Sequence, residues 1–124
     1  MTPMNLYSRV SEADLQKAIC DAATLFGWKI FSVRRSAVPG KRGPVSVVTN
    51  DGKGYPDLTL IHPVQGRILF IECKSEYGKI TEDHKKWEGW IMGAHCEYLL
   101  ARPSYIDAVI DVLRGADTAL GEGA

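Results

Sequence analysis

The stretch that decides the fold runs from Asp57 to Lys74: Asp57-Leu58-Thr59-Leu60-Ile61, then His62-Pro63-Val64-Gln65-Gly66, then Arg67-Ile68-Leu69-Phe70-Ile71-Glu72-Cys73-Lys74. Two runs rich in branched apolar residues flank a segment holding one proline and one glycine, the pattern of two strands joined by a turn. Side chains alternate along a strand, so Glu72 and Lys74 share one face while Cys73 faces the other way. If the strands pair antiparallel across the short turn, the start of the first lies beside the end of the second. That register brings Asp57 next to Glu72.

Working outward, Thr81 can cap a helix with Glu82 and Asp83 in its first turn and an apolar stripe of Trp87, Trp90, Ile91 and Ala94. Cys96 to Ala101 reads as a further strand. Ser104 with Asp107 forms a capping-box pattern that opens a last helix, with Ile106, Val109, Ile110 and Leu113 on one face and Gly115 beyond its end. Upstream, Ser11 and Asp14 make the same pattern ahead of Leu15, Ala18, Ile19, Ala22 and Phe26, and Gly27 ends that helix. Trp28 to Val33 reads as a strand. A glycine- and proline-rich loop follows, with a short ribbon at Val45 to Thr49; a loop of this length in a small domain points to function or mobility.

The expected order is αβββαβα. A strand, helix and strand in succession imply a parallel pair with a right-handed crossover, hence a four-stranded mixed sheet flanked by helices in an α/β domain. Length and composition suit one domain over residues 1–115, with an Ala/Gly-rich disordered tail over 116–124. The sequence carries no apolar run of the roughly 20 residues that span a bilayer and no signal-peptide pattern at its start, so a cytoplasmic protein without membrane contact is expected. Cys20, Cys73 and Cys96 are scattered, without zinc-ligand spacing, and read as buried reduced thiols.

Formal net charge is zero, so attraction to a polyanion has to be local. Lys29, Arg34, Arg35, Lys41, Arg42 and Lys53 face the single acid Asp51 between positions 29 and 53, while Asp107, Asp111, Asp117 and Glu122 gather near the C-terminus. The basic segment is either a phosphate-gripping loop or a solvated one.

Asp57, Glu72 and Lys74 make the narrower pattern. Two carboxylates at one end of a sheet beside an ammonium are costly to bury without a compensating charge, and a divalent cation supplies it. Mg²⁺ or Mn²⁺ suits two carboxylates, a backbone carbonyl and a substrate phosphate. The alternative is a same-face Glu72–Lys74 pair at a strand end and an aspartate that follows a proline turn.

These residues resemble the PD-(D/E)-X-K nuclease superfamily and, within it, the VRR-NUC family of small phage-type and repair nucleases. The resemblance runs from Glu12 to the last helix and includes Gly54-Tyr55-Pro56-Asp57-Leu58, Ile71-Glu72-Cys73-Lys74 and Gly78-Lys79-Ile80-Thr81. It implies a restriction-endonuclease-like core, with Asp57, Glu72 and the backbone carbonyl of Cys73 as metal ligands, Lys74 as the catalytic lysine and Glu12 as the acid of the first helix. His84 stands where the family usually carries glutamine, and its role is either contact with phosphate, water or metal or that of a polar first-turn residue. The implied activity is Mg²⁺- or Mn²⁺-dependent hydrolysis of DNA phosphodiesters, selective for branched or Holliday-junction DNA and carried out by a homodimer. Arg34, Arg35, Lys41, Arg42, Lys53 and His84 are the expected DNA contacts. The competing class is a non-catalytic nucleic-acid-binding or adaptor domain that keeps the fold.

Overall fold

A computed structural model of the chain describes residues 6–33, 36–37, 44–45 and 50–118. Helix α1 (Glu12–Leu25) leads into β1 (Lys29–Ser32), a two-stranded ribbon of β2 (Ser36–Ala37) and β3 (Pro44–Val45), then β4 (Leu58–His62) and β5 (Arg67–Cys73). Helix α2 (Glu82–Gly93), strand β6 (Glu97–Ala101), a 3-10 turn (Pro103–Tyr105) and helix α3 (Ile106–Arg114) follow. The main sheet has the order β1-β4-β5-β6. Its first three strands are antiparallel neighbours, and β6 is parallel to β5. The architecture is α/β with a mixed, open four-stranded sheet.

Period-two alternation sets the two faces. Leu58, Leu60, Leu69, Ile71 and Cys73 point to one side and are fully buried or nearly so beneath Leu15, Ile19 and Ala23 of α1 and Val109, Val112 and Leu113 of α3. Each such aliphatic side chain contributes about 1.5–3 kcal/mol on leaving water. The other face is covered less completely: α2 packs near β6, and Phe31, Ile61 and Ile68 stay exposed.

The caps explain where the helices begin. Ser11 Oγ accepts from the Asp14 N–H at 3.0 Å. At α2 the box is complete, because Thr81 Oγ1 accepts from the His84 N–H while His84 Nδ1 accepts from the Thr81 N–H, both at 3.2 Å. The last helix departs from expectation. Ser104 does not cap it; the chain enters through the 3-10 turn, Pro103 fixes the first dihedral, and the Ser104 N–H donates to Glu76 Oε1 at 3.0 Å.

Other expectations are corrected as well. The ribbon pairs Ser36–Ala37 with Pro44–Val45 and so starts earlier than Val45; residues 46–49 lie outside the described residues. Ala18 is exposed, and Ala23 takes the buried place on α1. Trp90 faces outward at 53% exposure, leaving Ile91 as the buried residue of α2. Of the cysteines only Cys73 is buried; Cys20 and Cys96 are half-buried, and all three are free. The chain stays held beyond Gly115, since Arg67 donates to the Ala116 carbonyl and Thr118 Oγ1 donates to Glu97. Residues 119–124 of the expected tail lie outside the described residues. Among the described residues no helix is long and apolar enough to cross a membrane.

Candidate active site

The carboxyl ends of β5 and β6, the start of β4 and the N-termini of α1 and α2 meet at one edge of the sheet. The register carries this through. Leu58 lies opposite Ile71 and Cys73 lies beside Ala101, so Asp57 reaches across to the end of β5. Its Oδ2 accepts from the Cys73 N–H at 2.9 Å. The approach to Asp57 is built by Gly54, whose φ of +84° suits glycine and where a Cβ would fall 2.6 Å from the Asp83 backbone carbonyl carbon. The turn can therefore lie directly on α2. Trp87 Nε1–H fastens it there, donating to the Asp51 and Lys53 carbonyls at 3.0 and 3.1 Å.

Glu72 lies at the centre, its side chain only 3% exposed. Oε2 is 3.8 Å from Lys74 Nζ and 3.3 Å from His84 Nε2. Oε1 is buried and has no hydrogen-bond partner among the described residues. Burial first, and the neighbouring Asp57 carboxylate second, push the Glu72 carboxyl up to about 8. Burial raises Asp57 too, opposed by the hydrogen bond from Cys73. Lys74 Nζ also lies 3.9 Å from Glu12 Oε1, which reaches in from the first turn of α1 and is half-exposed. These are ion-pair separations, longer than hydrogen bonds.

His84 is held from both sides. The capping box makes Nδ1 an acceptor, which leaves the proton on Nε2 facing Glu72. Burial and the Lys74 ammonium lower its basicity, which keeps the ring neutral with Nε2 turned to the Glu72 carboxyl at 3.3 Å.

The structure thus brings together Asp57, Glu72, Lys74, Glu12 and His84. Lys53 is elsewhere, paired with Asp83 at 3.5 Å on the outer side of α2. Lys29 is exposed on β1. Arg34, Arg35, Lys41 and Arg42 lie outside the described residues.

Two positioning residues escaped the sequence reading. Arg102, just past β6, donates to the carbonyls of Ser75, Glu76 and Gly78 at 2.8, 3.2 and 2.8 Å, fixing the loop that leaves Lys74. Buried Glu76 ties that loop to the 3-10 turn through Ser104. The available signal was an arginine directly before a proline at the end of the strand parallel to β5.

Metal fit can be judged from the donors. Among the described residues no three His, Cys, Asp or Glu side chains stand together at ligand separations, so side chains alone do not make a cage. Two hard carboxylates do converge, however, and the Cys73 carbonyl belongs to the residue between Glu72 and Lys74. One Glu72 oxygen is buried without a partner among the described residues. A small oxygen-seeking cation would satisfy that oxygen and offset the acidic excess, so the residues fit Mg²⁺ or Mn²⁺. No protein-family model, curated protein or solved structure matches the chain.

Proposed function

We propose that the chain is a metal-dependent nuclease with a restriction-endonuclease-like core that hydrolyses DNA phosphodiester bonds, with branched or four-way junction DNA as the preferred substrate. The observation that carries the reading is the buried Glu72 Oε1, without a hydrogen-bond partner among the described residues, beside Asp57 and with Lys74 Nζ 3.8 Å from the same carboxyl group. A purely structural ion pair gains nothing from burying one carboxylate oxygen away from protein donors.

Asp57, Glu72 and the Cys73 carbonyl would hold the cation. Bound Mg²⁺ or Mn²⁺ would polarise a phosphoryl oxygen and lower the pKa of water. Lys74, held by Glu12 and Glu72, can orient an attacking water toward phosphorus or neutralise charge on a phosphoryl oxygen. The Cys73 N–H fixes Asp57, and the His84 ring stands 3.3 Å from the Glu72 carboxyl. The reading extends to a homodimer, because paired cuts at a junction are most simply made by two sites related by a two-fold axis. Sedimentation as a monomer on junction DNA, with paired cuts still made, would exclude that arrangement.

The test is a cleavage panel of branched, single-stranded and duplex DNA. Mg²⁺ or Mn²⁺ should support cutting, and Ca²⁺ should permit binding with little turnover. Asp57→Ala, Glu72→Ala and Lys74→Ala should each remove activity while remaining folded. Parental cutting rates in any of the three, or robust cutting in excess chelator, would overturn the assignment. Folded protein that binds DNA and never cuts would instead mark an adaptor domain.

A further inference from the structure

Alongside α2, away from the carboxylates, Asn50, Asp51, Lys53, Asp83, Lys86 and Trp90 line an open pocket of about 200 Å³. We infer that this pocket receives an unpaired nucleobase of single-stranded DNA, stacked on Trp90, with the adjoining phosphates met by Lys86 and Lys53.

The ring of Trp90 is half-exposed yet fixed. Phe70, Tyr55, Trp87 and Trp90 form a chain of edge-to-face contacts, with centroid separations of 6.1, 5.0 and 5.2 Å and interplanar angles close to 80°. Trp87 is itself tied to the turn by its two hydrogen bonds, so Trp90 leans on a rigid partner. An exposed aromatic face that costs no further ordering is a stacking platform, and every base has a π-face to offer it. The polar lining matches the rest of a nucleotide. Asn50, Asp51 and Asp83 can accept from base N–H groups, and the lysines suit phosphate oxygens. The Lys53–Asp83 pair does not remove Lys53 from use, since its side chain is 82% exposed and such pairs are weak.

Position links the pocket to the active site. Asp83 precedes His84, which touches Glu72, and Trp90 lies six residues further along α2, about 9 Å at the helical rise. A strand lying along α2 with a base on Trp90 would carry its backbone toward the carboxylates at the other end of that helix. This last step rests on the nuclease reading; the binding itself does not.

The experiment uses the full chain in chelator, at fixed salt, with two labelled strands of equal length: oligothymidylate and an abasic strand with the same phosphates. The parent should bind the thymidylate strand more tightly. Trp90→Leu, which keeps apolar contact with Trp87, should weaken thymidylate binding by about tenfold and leave the abasic strand within about twofold. Trp90→Phe should restore most of the difference, and Lys86→Gln should weaken both strands alike. Thermal unfolding checks that each variant is folded. Equal effects of Trp90→Leu on both strands, no effect on either, or a parent that binds neither strand would overturn the proposal. Base-dependent loss in a protein that never cuts DNA would leave this site standing and remove the nuclease reading; cutting without base-dependent loss would do the reverse.

Discussion

Two demands on Glu72 act in the same direction: the fold buries it, and its neighbour Asp57 repels its charge. Unfolded, it titrates near 4.5; folded, at about 8. Between those values the folded metal-free protein holds a proton that the unfolded chain has released. The stability this supplies is fully present below pH 4.5 and is lost as the pH climbs through 8. Urea unfolding of metal-free protein should therefore show stability falling by roughly 2–4 kcal/mol from near pH 5 to near pH 9. Glu72→Gln should flatten most of that slope, and saturating Mg²⁺ should recover stability at the alkaline end. A parental slope in the variant would show that another group is responsible. Asp57, Glu72 and Lys74 were legible in the sequence because a two-residue period and a hairpin register fix their relation without knowledge of the rest. The contact from His84 was not, since it depends on how α2 crosses the sheet.

At the scale of elements, α2 has its N-terminal box serving two ends at once. The same imidazole closes the cap through Nδ1 and addresses Glu72 through Nε2. Variants can separate the tasks. Asparagine at 84 offers an oxygen near the position of Nδ1 but does not reach Glu72, whereas glutamine reaches toward Glu72. His84→Asn should keep most of the helix stability and lower cleavage, and His84→Gln should retain more activity. Thr81→Ala should cost about 1 kcal/mol of stability and lower activity as well. If Asn and Gln behave identically in cleavage, the contact with Glu72 does not matter. The Thr81 cap itself could be read from the sequence, as could α1 and the hairpin, because capping residues and periodic apolar positions are local signals. The start of α3 could not: a buried carboxylate from a distant loop takes the Ser104 N–H, and no local pattern records that. Trp90 was misplaced for a related reason. Its helical spacing is that of a core stripe, but α2 turns Ile91 inward and leaves Trp90 exposed beside Asn50, Asp51 and Lys53.

For the whole molecule, charge is the property that composition concealed. Net charge is zero, yet basic residues collect between positions 29 and 53, and that segment returns to the sheet at Asp57. Replacing Arg34, Arg35, Lys41 and Arg42 by glutamine together should weaken DNA binding broadly and flatten the slope of log affinity against log salt by about 0.9 for each phosphate no longer neutralised. A salt titration in Ca²⁺ with Glu72→Ala protein measures this. An unchanged slope would assign the segment to solvent and shift the DNA path toward Lys79, Lys85 and Lys86.

Strand β5 carries a different device at each end. Arg67, at its start, pairs with Glu97 through Nε–H at 2.9 Å and a second nitrogen at 2.6 Å, donates to the carbonyls of Val112 and Ala116, and lies over the Trp28 ring. Glu72 and Cys73 close the other end. At the rise of an extended chain, the two are separated by about 20 Å, roughly two screening lengths at physiological salt. At that distance, exposed charges added or removed around Arg67 should shift the titration of Glu72 only slightly. Variants made more stable through changes at the Arg67 end should therefore keep the parental titration of Glu72, so that robustness can be gained at one end of the strand without disturbing the carboxyl at the other.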